Sequence, residues 1–171
     1  RKYGESVESI LKYRDEAQEE LNILTNADAN MEALEKEQGE LLESLKSLAN
    51  DLSNARKKVA KKLSDAVTKE IKPLGMGNAV FQVSVGKNET LSPHGQDDIT
   101  FLFSANLGEE LALLSDVASG GELSRVMLGL NVVTGSDVPI LAFDEVDAGI
   151  GGKTARAIGC LLKQLAKDHQ V

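Results

Sequence analysis

Residues 1–72 constrain the fold most, because almost nothing in them interrupts a helix. They contain no proline, and their only glycines are Gly4 and Gly39. A mostly apolar seam with heptad spacing runs through them, made of Leu24, Met31, Gln38, Leu45, Leu52, Val59 and Ala66 and of Ala27, Leu34, Leu41, Leu48 and Ala55. Such a seam, sustained over several heptads among charged residues, predicts a coiled-coil arm over 1–72. Polar residues 26–30 mark a possible break.

This seam requires a second helix, because a narrow apolar stripe is not satisfied by water. Nothing else in the sequence supplies a helix of matching length, so the partner is another chain or an amino-terminal part of the same protein. A long helix on the surface of a globular bundle is the alternative. The end of the arm carries a basic cluster of Arg56, Lys57, Lys58, Lys61 and Lys62. It either binds DNA phosphates or forms a solvated face that pairs with acids of the partner helix; we favour the second.

After the arm, Pro73 and the glycines that follow it end the helix. Residues 80–85 and 99–103 alternate apolar and polar side chains, which predicts two strands that pair antiparallel. The polar residues 86–98 between them predict a loop. His94 in that loop has no neighbouring residues that would complete a metal site.

Ser119 and Glu122 form a capping box, in which the serine hydroxyl and the glutamate side chain satisfy free amides at a helix start. Capping boxes are common, so this feature alone indicates only a helix. We expect that helix to pack under a sheet through an apolar face of Leu123, Val126, Met127 and Leu130.

A continuous apolar run at 138–143 predicts a strand buried on both faces, and it ends abruptly in Asp144 and Glu145. Ligands of open α/β sheets bind at such carboxyl ends. Two adjacent carboxylates there are explained economically by a bound Mg²⁺, although a solvated acidic turn is the simpler alternative.

Residues 154–167 predict a last helix with an inward face of Ala155, Ile158, Leu162 and Leu165. Cys160 on this helix is expected to be a small core residue and not a nucleophile. A strand followed by a helix demands a further parallel strand, which Val171 would begin.

The order of these elements resembles the ATP-binding-cassette ATPases. Residues 118–125 (Ala-Ser-Gly-Gly-Glu-Leu-Ser-Arg) are similar to their signature motif, and residues 143–150 (Phe-Asp-Glu-Val-Asp-Ala-Gly-Ile) to their Walker B strand end and D-loop. This variant resembles the RecN family of the SMC-like group. The resemblance implies an α/β fold, with 1–72 as the returning arm of an antiparallel coiled coil and 73–171 as the carboxy-terminal lobe of an ABC-type ATPase head.

The resemblance also implies roles for particular residues. ATP bound to a second head would contact the signature motif and the D-loop through Ser119, Gly120, Gly121, Glu122 and Asp147. Asp144 would hold Mg²⁺, and Glu145 would act on the attacking water. Arg125 would support the contact between heads. The implied function is ATP-dependent head dimerisation in recombinational repair of DNA double-strand breaks. The implied partners are the amino-terminal lobe, the outgoing arm, a second head and DNA.

The composition narrows these expectations. A formal net charge of -8 argues against a generally basic DNA-coating surface, and the absence of Trp argues against base-stacking platforms. A single cysteine excludes an internal disulfide framework. No signal peptide or membrane-length apolar run is present, so we expect a cytoplasmic protein without membrane contact.

The phosphate-binding loop of an ATPase is missing from the sequence. Gly152-Lys153-Thr154 resembles its end, but Asp147 stands where the pattern requires its first glycine. We therefore expect this chain to be inactive without an amino-terminal lobe. Two competing interpretations remain: a non-enzymatic coiled-coil scaffold with an acidic protein-binding head, and another SMC or Rad50-like head.

Overall fold

The computed structural model describes residues 6–116 and 119–171, apart from the side chain of Asp28. Its helices are α1 (Val7–Ile71), α2 (Gly120–Thr134) and α3 (Gly152–Leu165), and its strands are β1 (Val80–Ser92), β2 (Gly95–Ser104) and β3 (Ala112–Leu113). Short 3-10 turns cover Lys72–Leu74 and Leu114–Asp116. The described residues leave out Ala118, the first residue of the predicted signature motif, and the first five residues of the predicted arm. The chain divides into two compact units, Arg1–Leu48 and Ala49–Val171.

The first unit contains α1 up to Leu48. The possible break at 26–30 is wrong, since the helix runs through that segment without interruption. Just before this segment, the Thr25 hydroxyl bonds within the helix, donating to the Leu21 carbonyl oxygen over 2.8 Å. The apolar seam is exposed, as Leu24, Leu34 and Leu41 illustrate.

The second unit contains a core formed by the end of α1, the sheet, α2 and α3. Its buried apolar residues are Val67, Ile71, Leu74, Met76, Ala79, Phe81, Phe103, Val126, Leu128, Ile158 and Leu165. This core holds α2 against the last turns of α1. A β-carbon on Gly129 would lie 2.7 Å from Ile71 Cγ2, so the two helices approach as closely as glycine permits.

The sheet has the order β1-β2-β3 and is antiparallel, which confirms the predicted pairing. The predicted loop at 86–98 is wrong, because β1 and β2 continue to Ser92 and Gly95. A two-stranded ribbon can present polar residues to water on both faces, so polarity alone did not distinguish strand from loop. Gly95 permits the tight turn through its φ of +99°.

Helix α1 covers the free edge of β1 with two hydroxyl groups. The Phe81 amide donates to Thr68 Oγ1 over 3.0 Å, and the Val83 amide donates to Ser64 Oγ over 2.9 Å. These side chains satisfy edge amides that would otherwise be free to pair with another strand.

The apolar run at 138–143 is not the doubly buried strand that its sequence predicts. In the described chain its β-pairing is a single parallel bridge between Ile140 and Gln170, and Ile140 is 63% exposed. A strand is buried on both faces only where neighbouring strands and helix layers cover it. The bridge confirms that parallel pairing follows α3, starting at Gln170 and not at Val171.

Helix α2 buries a face that agrees only in part with the predicted one. Helix α2 buries Gly121, Arg125, Leu128 and Gly129, at helical spacing i, i+4, i+7 and i+8, together with Val126. Met127 is 39% exposed. The predicted face is confirmed at Val126 and Leu130, which is packed against the core, but apolarity alone missed glycine and arginine as inward residues.

The predicted inward face of helix α3 is confirmed at Ile158, Leu162 and Leu165, which are buried or pack against the core, and is wrong at Ala155, which is exposed. Cys160 is also exposed, so its predicted place in the core is wrong. Cys160 lies two positions after Ile158 on the helix, so the Cys160 side chain points away from the buried stripe.

Candidate functional site

Ser119 forms the N-cap of α2. Its backbone is extended, with φ -101° and ψ 118°, and its hydroxyl accepts a hydrogen bond from the Glu122 amide over 3.4 Å. This confirms the serine half of the predicted capping box. Ser119 and Gly120 are exposed. A helix start with exposed amides and the positive end of the helix dipole favours an anion.

The acidic turn lies beside this helix start. Asp144, Glu145 and Asp147 are exposed, and the Ala148 amide donates to the Glu145 carbonyl oxygen over 3.0 Å. Glu145 has φ +54° and is the non-glycine residue with positive φ in the described chain. This conformation costs roughly 1–3 kcal/mol and persists only where surrounding contacts impose it.

Several contacts join the acidic turn to α2. A β-carbon on Gly120 would overlap the Glu145 carboxylate, so that carboxylate lies directly against the helix start. The Ser124 hydroxyl donates to the Asp144 carbonyl oxygen, and Arg125 Nη1 donates to the Ala148 carbonyl oxygen over 3.2 Å. Every predicted site residue therefore lies on α2's first turn, on its N-cap or in the turn bonded to it.

Arg125 is buried, with only 7% of it exposed, so any support that it gives to a contact between heads comes from within its own unit. That role stays a prediction. Sequence reasoning also missed Ser124 as a residue of the site. Its signal is position alone: Ser124 and Arg125 follow Gly120 and Gly121 by one helical turn and so project back beside the helix start.

The acidic turn offers oxygen ligands of the kind that Mg²⁺ prefers. Within the described residues, Asp144, Glu145 and Asp147 form no salt bridge, and no group of three or more potential ligands is assembled for a metal. Mg²⁺ is commonly held by one or two carboxylates together with substrate phosphates. The exposed carboxylates fit that incomplete donor set.

Comparison with known proteins decides the family. No protein-family model matches the chain. DNA repair protein RecN of Deinococcus radiodurans is 41% identical over 99% of this chain and 30% of its own length. That of Treponema pallidum is 41% identical over 100% of this chain and 31% of its own length. That of Bacillus subtilis is 38% identical over 100% of this chain and 33% of its own length. The chain belongs to the RecN family. It spans about a third of the length of the curated relatives it matches.

Solved structures agree with the fold of a RecN-family chain. An Smc head domain with a coiled coil and joint from Pyrococcus yayanosii matches 96% of this chain and 30% of its own, with a TM-score of 0.58 and 14% identity. An Smc head domain with an extended coiled coil from Pyrococcus furiosus matches 85% of this chain and 36% of its own, with a TM-score of 0.54 and 16% identity. The predicted α/β head lobe preceded by a helical arm is thereby confirmed.

The basic cluster of this RecN-family chain is divided in two. Arg56 forms an ion pair with the hairpin, its Nη1 lying 3.0 Å from Asp97 Oδ2. The cluster's four lysines are exposed. Lys57 and Lys61 line a groove of about 810 Å³ beside β1. Separately, no helix in the described ranges has the length and apolarity needed to cross a membrane.

Proposed function

We propose that this chain is the carboxy-terminal part of an SMC-like ATPase that acts in recombinational repair of DNA double-strand breaks in the bacterial cytoplasm. One observation carries the proposal: an exposed, Ser119-capped helix start and an exposed acidic turn are held together on one surface. A packed interior at either element would have argued against it. The names of the RecN relatives, each a DNA repair protein, support the biological role.

In this proposal the helix start serves ATP bound to a second head. The exposed N-terminus of α2 favours the negative charge of a terminal phosphate. The exposed Gly120 lets the backbone approach that phosphate, whereas the buried Gly121 would contribute only through its backbone amide. Ser119 orients the helix start, and Glu122 lies in its first turn.

The acidic turn serves ATP bound to its own head. Asp144 would hold Mg²⁺, which, when bound, neutralises phosphate charge and stabilises the leaving group. Glu145 orients or deprotonates the attacking water. Asp147 lies at the contact between heads and makes each site sensitive to the other.

The remainder of the protein completes this site and converts it into movement. The phosphate-binding loop would come from the amino-terminal lobe, and the exposed seam of α1 would pack against the outgoing arm. Lysines of the basic cluster would form a solvated face or pair with acids of the outgoing arm. ATP then holds two heads together, hydrolysis releases them, and the arms hold or bridge DNA.

Glu145→Gln in the complete protein tests this proposal. We expect ATP turnover to be abolished while the ATP-bound dimer becomes longer-lived, measured by phosphate release and sedimentation. Asp137→Asn, which changes an exposed acid outside the turn, is the matched control and should leave both unchanged. Normal turnover in the Glu145 variant would remove this residue from the reaction.

The exposed seam also favours a second candidate, a non-enzymatic coiled-coil scaffold with an acidic protein-binding head. ATPase activity of this chain with and without its amino-terminal lobe distinguishes the two. An ATPase gains activity when the lobe is added, whereas a scaffold has none in either case.

A further inference from the structure

We propose that Arg125 is a positioning residue that holds the acidic turn, with Glu145 in its strained conformation, against the signature helix α2. The inference rests on the proposed ATPase function and adds a mechanism of communication to it. Through Arg125, the helix start that senses the second head's ATP sets the position of the glutamate that acts on the first head's ATP.

The burial of Arg125 first requires an explanation. The side chain is 7% exposed, and within the described residues it forms no salt bridge. Its Nε is buried and has no hydrogen-bond partner among the residues that the structure describes. An unpaired buried cation destabilises a fold, and an apolar side chain of similar length would be tolerated better. Packing therefore does not account for an arginine here, whereas its hydrogen bond to the Ala148 carbonyl oxygen does.

The bonds from α2 bracket the acidic turn. Ser124 donates to the carbonyl oxygen of Asp144, immediately before Glu145. Arg125 donates to the carbonyl oxygen of Ala148, three residues after Glu145. Two consecutive residues of one helix thus hold both ends of the segment that contains the catalytic candidate.

Gly121, one helical turn before Arg125, leaves room for this arrangement because it has no side chain. A β-carbon on Gly121 would lie 3.1 Å from Arg125 Nη1, 3.1 Å from the Glu145 carbonyl oxygen and 3.2 Å from Ala148 Cβ. The guanidinium, the acidic turn and the first turn of α2 therefore meet at Gly121. A shift of the helix start has to be accommodated by the turn, because protein interiors have little free volume.

The conformation of Glu145 makes the hydrogen bonds from Ser124 and Arg125 necessary. With φ at +54°, this residue would relax to a more favourable conformation unless neighbouring contacts held it. Loss of the Arg125 bond frees the Ala148 end of the turn, and the Glu145 carboxylate then loses its defined position. Because small misplacements of a catalytic group slow chemistry far more than they weaken binding, turnover should suffer most.

The test compares Arg125→Met and Arg125→Lys in the complete protein. Methionine keeps most of the packing volume, and lysine keeps the charge without the planar fork. We expect kcat to fall about 10-fold or more in Arg125→Met while ATP affinity stays within about 2-fold. The Hill coefficient for ATP should fall to that of independent sites. Arg156→Met, an exposed arginine on α3, is the control and should change none of these.

A second measurement does not depend on turnover. Hydrogen exchange of the Ala148 amide, which bonds to the Glu145 carbonyl oxygen, should accelerate in nucleotide-free Arg125→Met because the turn opens more often. If Arg125→Met does not fold, Arg125→Lys and Ser124→Ala take its place in both measurements. Wild-type kcat, Hill coefficient and exchange in a folded variant would overturn the inference. Failure of the proposed function differs from this outcome, because wild-type protein would then lack ATP turnover altogether.

Discussion

Gly120 and Glu145 lie in direct contact, since a β-carbon on Gly120 would overlap the Glu145 carboxylate and that side chain would have to move. The glycine opens helix α2, and the glutamate follows the apolar run by two residues. In the proposed dimer these residues serve two different ATP molecules. Because the two residues are in contact within one head, a movement of the helix start at one ATP site would move the glutamate at the other ATP site.

Gly120→Ala should therefore displace the Glu145 carboxylate and lower ATP turnover. We expect a loss of about 10-fold or more in kcat, because the displaced group is the one proposed to act on water. The measurement is steady-state phosphate release by the complete protein. Gly159→Ala is the control: a β-carbon there meets nothing within 4 Å, so turnover should be retained. Full activity of Gly120→Ala would show that the contact has no part in catalysis.

Ser119→Arg should block ATP-dependent dimerisation while ATP binding to a single head remains. The exposed N-cap tolerates a longer side chain in the monomer, but an arginine there would occupy the space proposed for the second head's phosphate. Sedimentation with and without ATP measures the dimer, and a fluorescent nucleotide measures binding. Ser119→Ala separates the effects, since it removes only the cap and costs about 1 kcal/mol of stability. Loss of monomer binding in Ser119→Arg would mean that the site is not shared.

Features with a strong local cause could be predicted from the sequence. The absence of proline before Pro73 and the heptad seam predicted α1, and the Ser119 cap predicted the start of α2. Family resemblance then supplied the head-lobe fold that the Smc structures confirm. Each of these follows from neighbouring residues or from a recognisable motif.

Features that depend on distant contacts could not be predicted. Arg125 reads as a surface cation, yet a carbonyl 23 residues further along the chain accepts its hydrogen bond. Gly129 reads as a weak point of a helix, yet it lets α2 approach Ile71. The apolar neighbours of Cys160 predicted a core residue, but Cys160 is exposed and lies outside the buried stripe of α3.

Gly129→Ala should destabilise the second unit. Its new β-carbon would lie 2.7 Å from Ile71 Cγ2, in a core where Ile71 is fully buried. Relief requires movement of α2 or of the end of α1, which typically costs about 1–3 kcal/mol. Urea denaturation measures the change in free energy of unfolding. Alanine normally favours a helix over glycine by about 1 kcal/mol, so Gly159→Ala should have the opposite sign. Stabilisation by Gly129→Ala would show that the core relaxes without strain.

Asp97 should make stability depend on pH. The Ser53 hydroxyl and then the Arg56 guanidinium favour its charged form, with Lys57 adding to them, and they hold its pKa below the ordinary value of 3.8 against an opposing effect of burial. A folded-state pKa below the unfolded one stabilises the fold at pH values above 3.8, and that contribution disappears as the pH falls through the lowered pKa.

Asp97→Asn removes this charge with little change in shape. We expect the variant to unfold more easily than wild type at pH 7, and the difference to shrink as the pH falls below 3.8. Denaturation at a series of pH values measures it. Asp98→Asn is the neighbouring control, since that side chain is exposed and forms no salt bridge within the described residues. A difference that stayed constant with pH would mean that Asp97 acts through packing, because only the charged carboxylate can gain from Arg56.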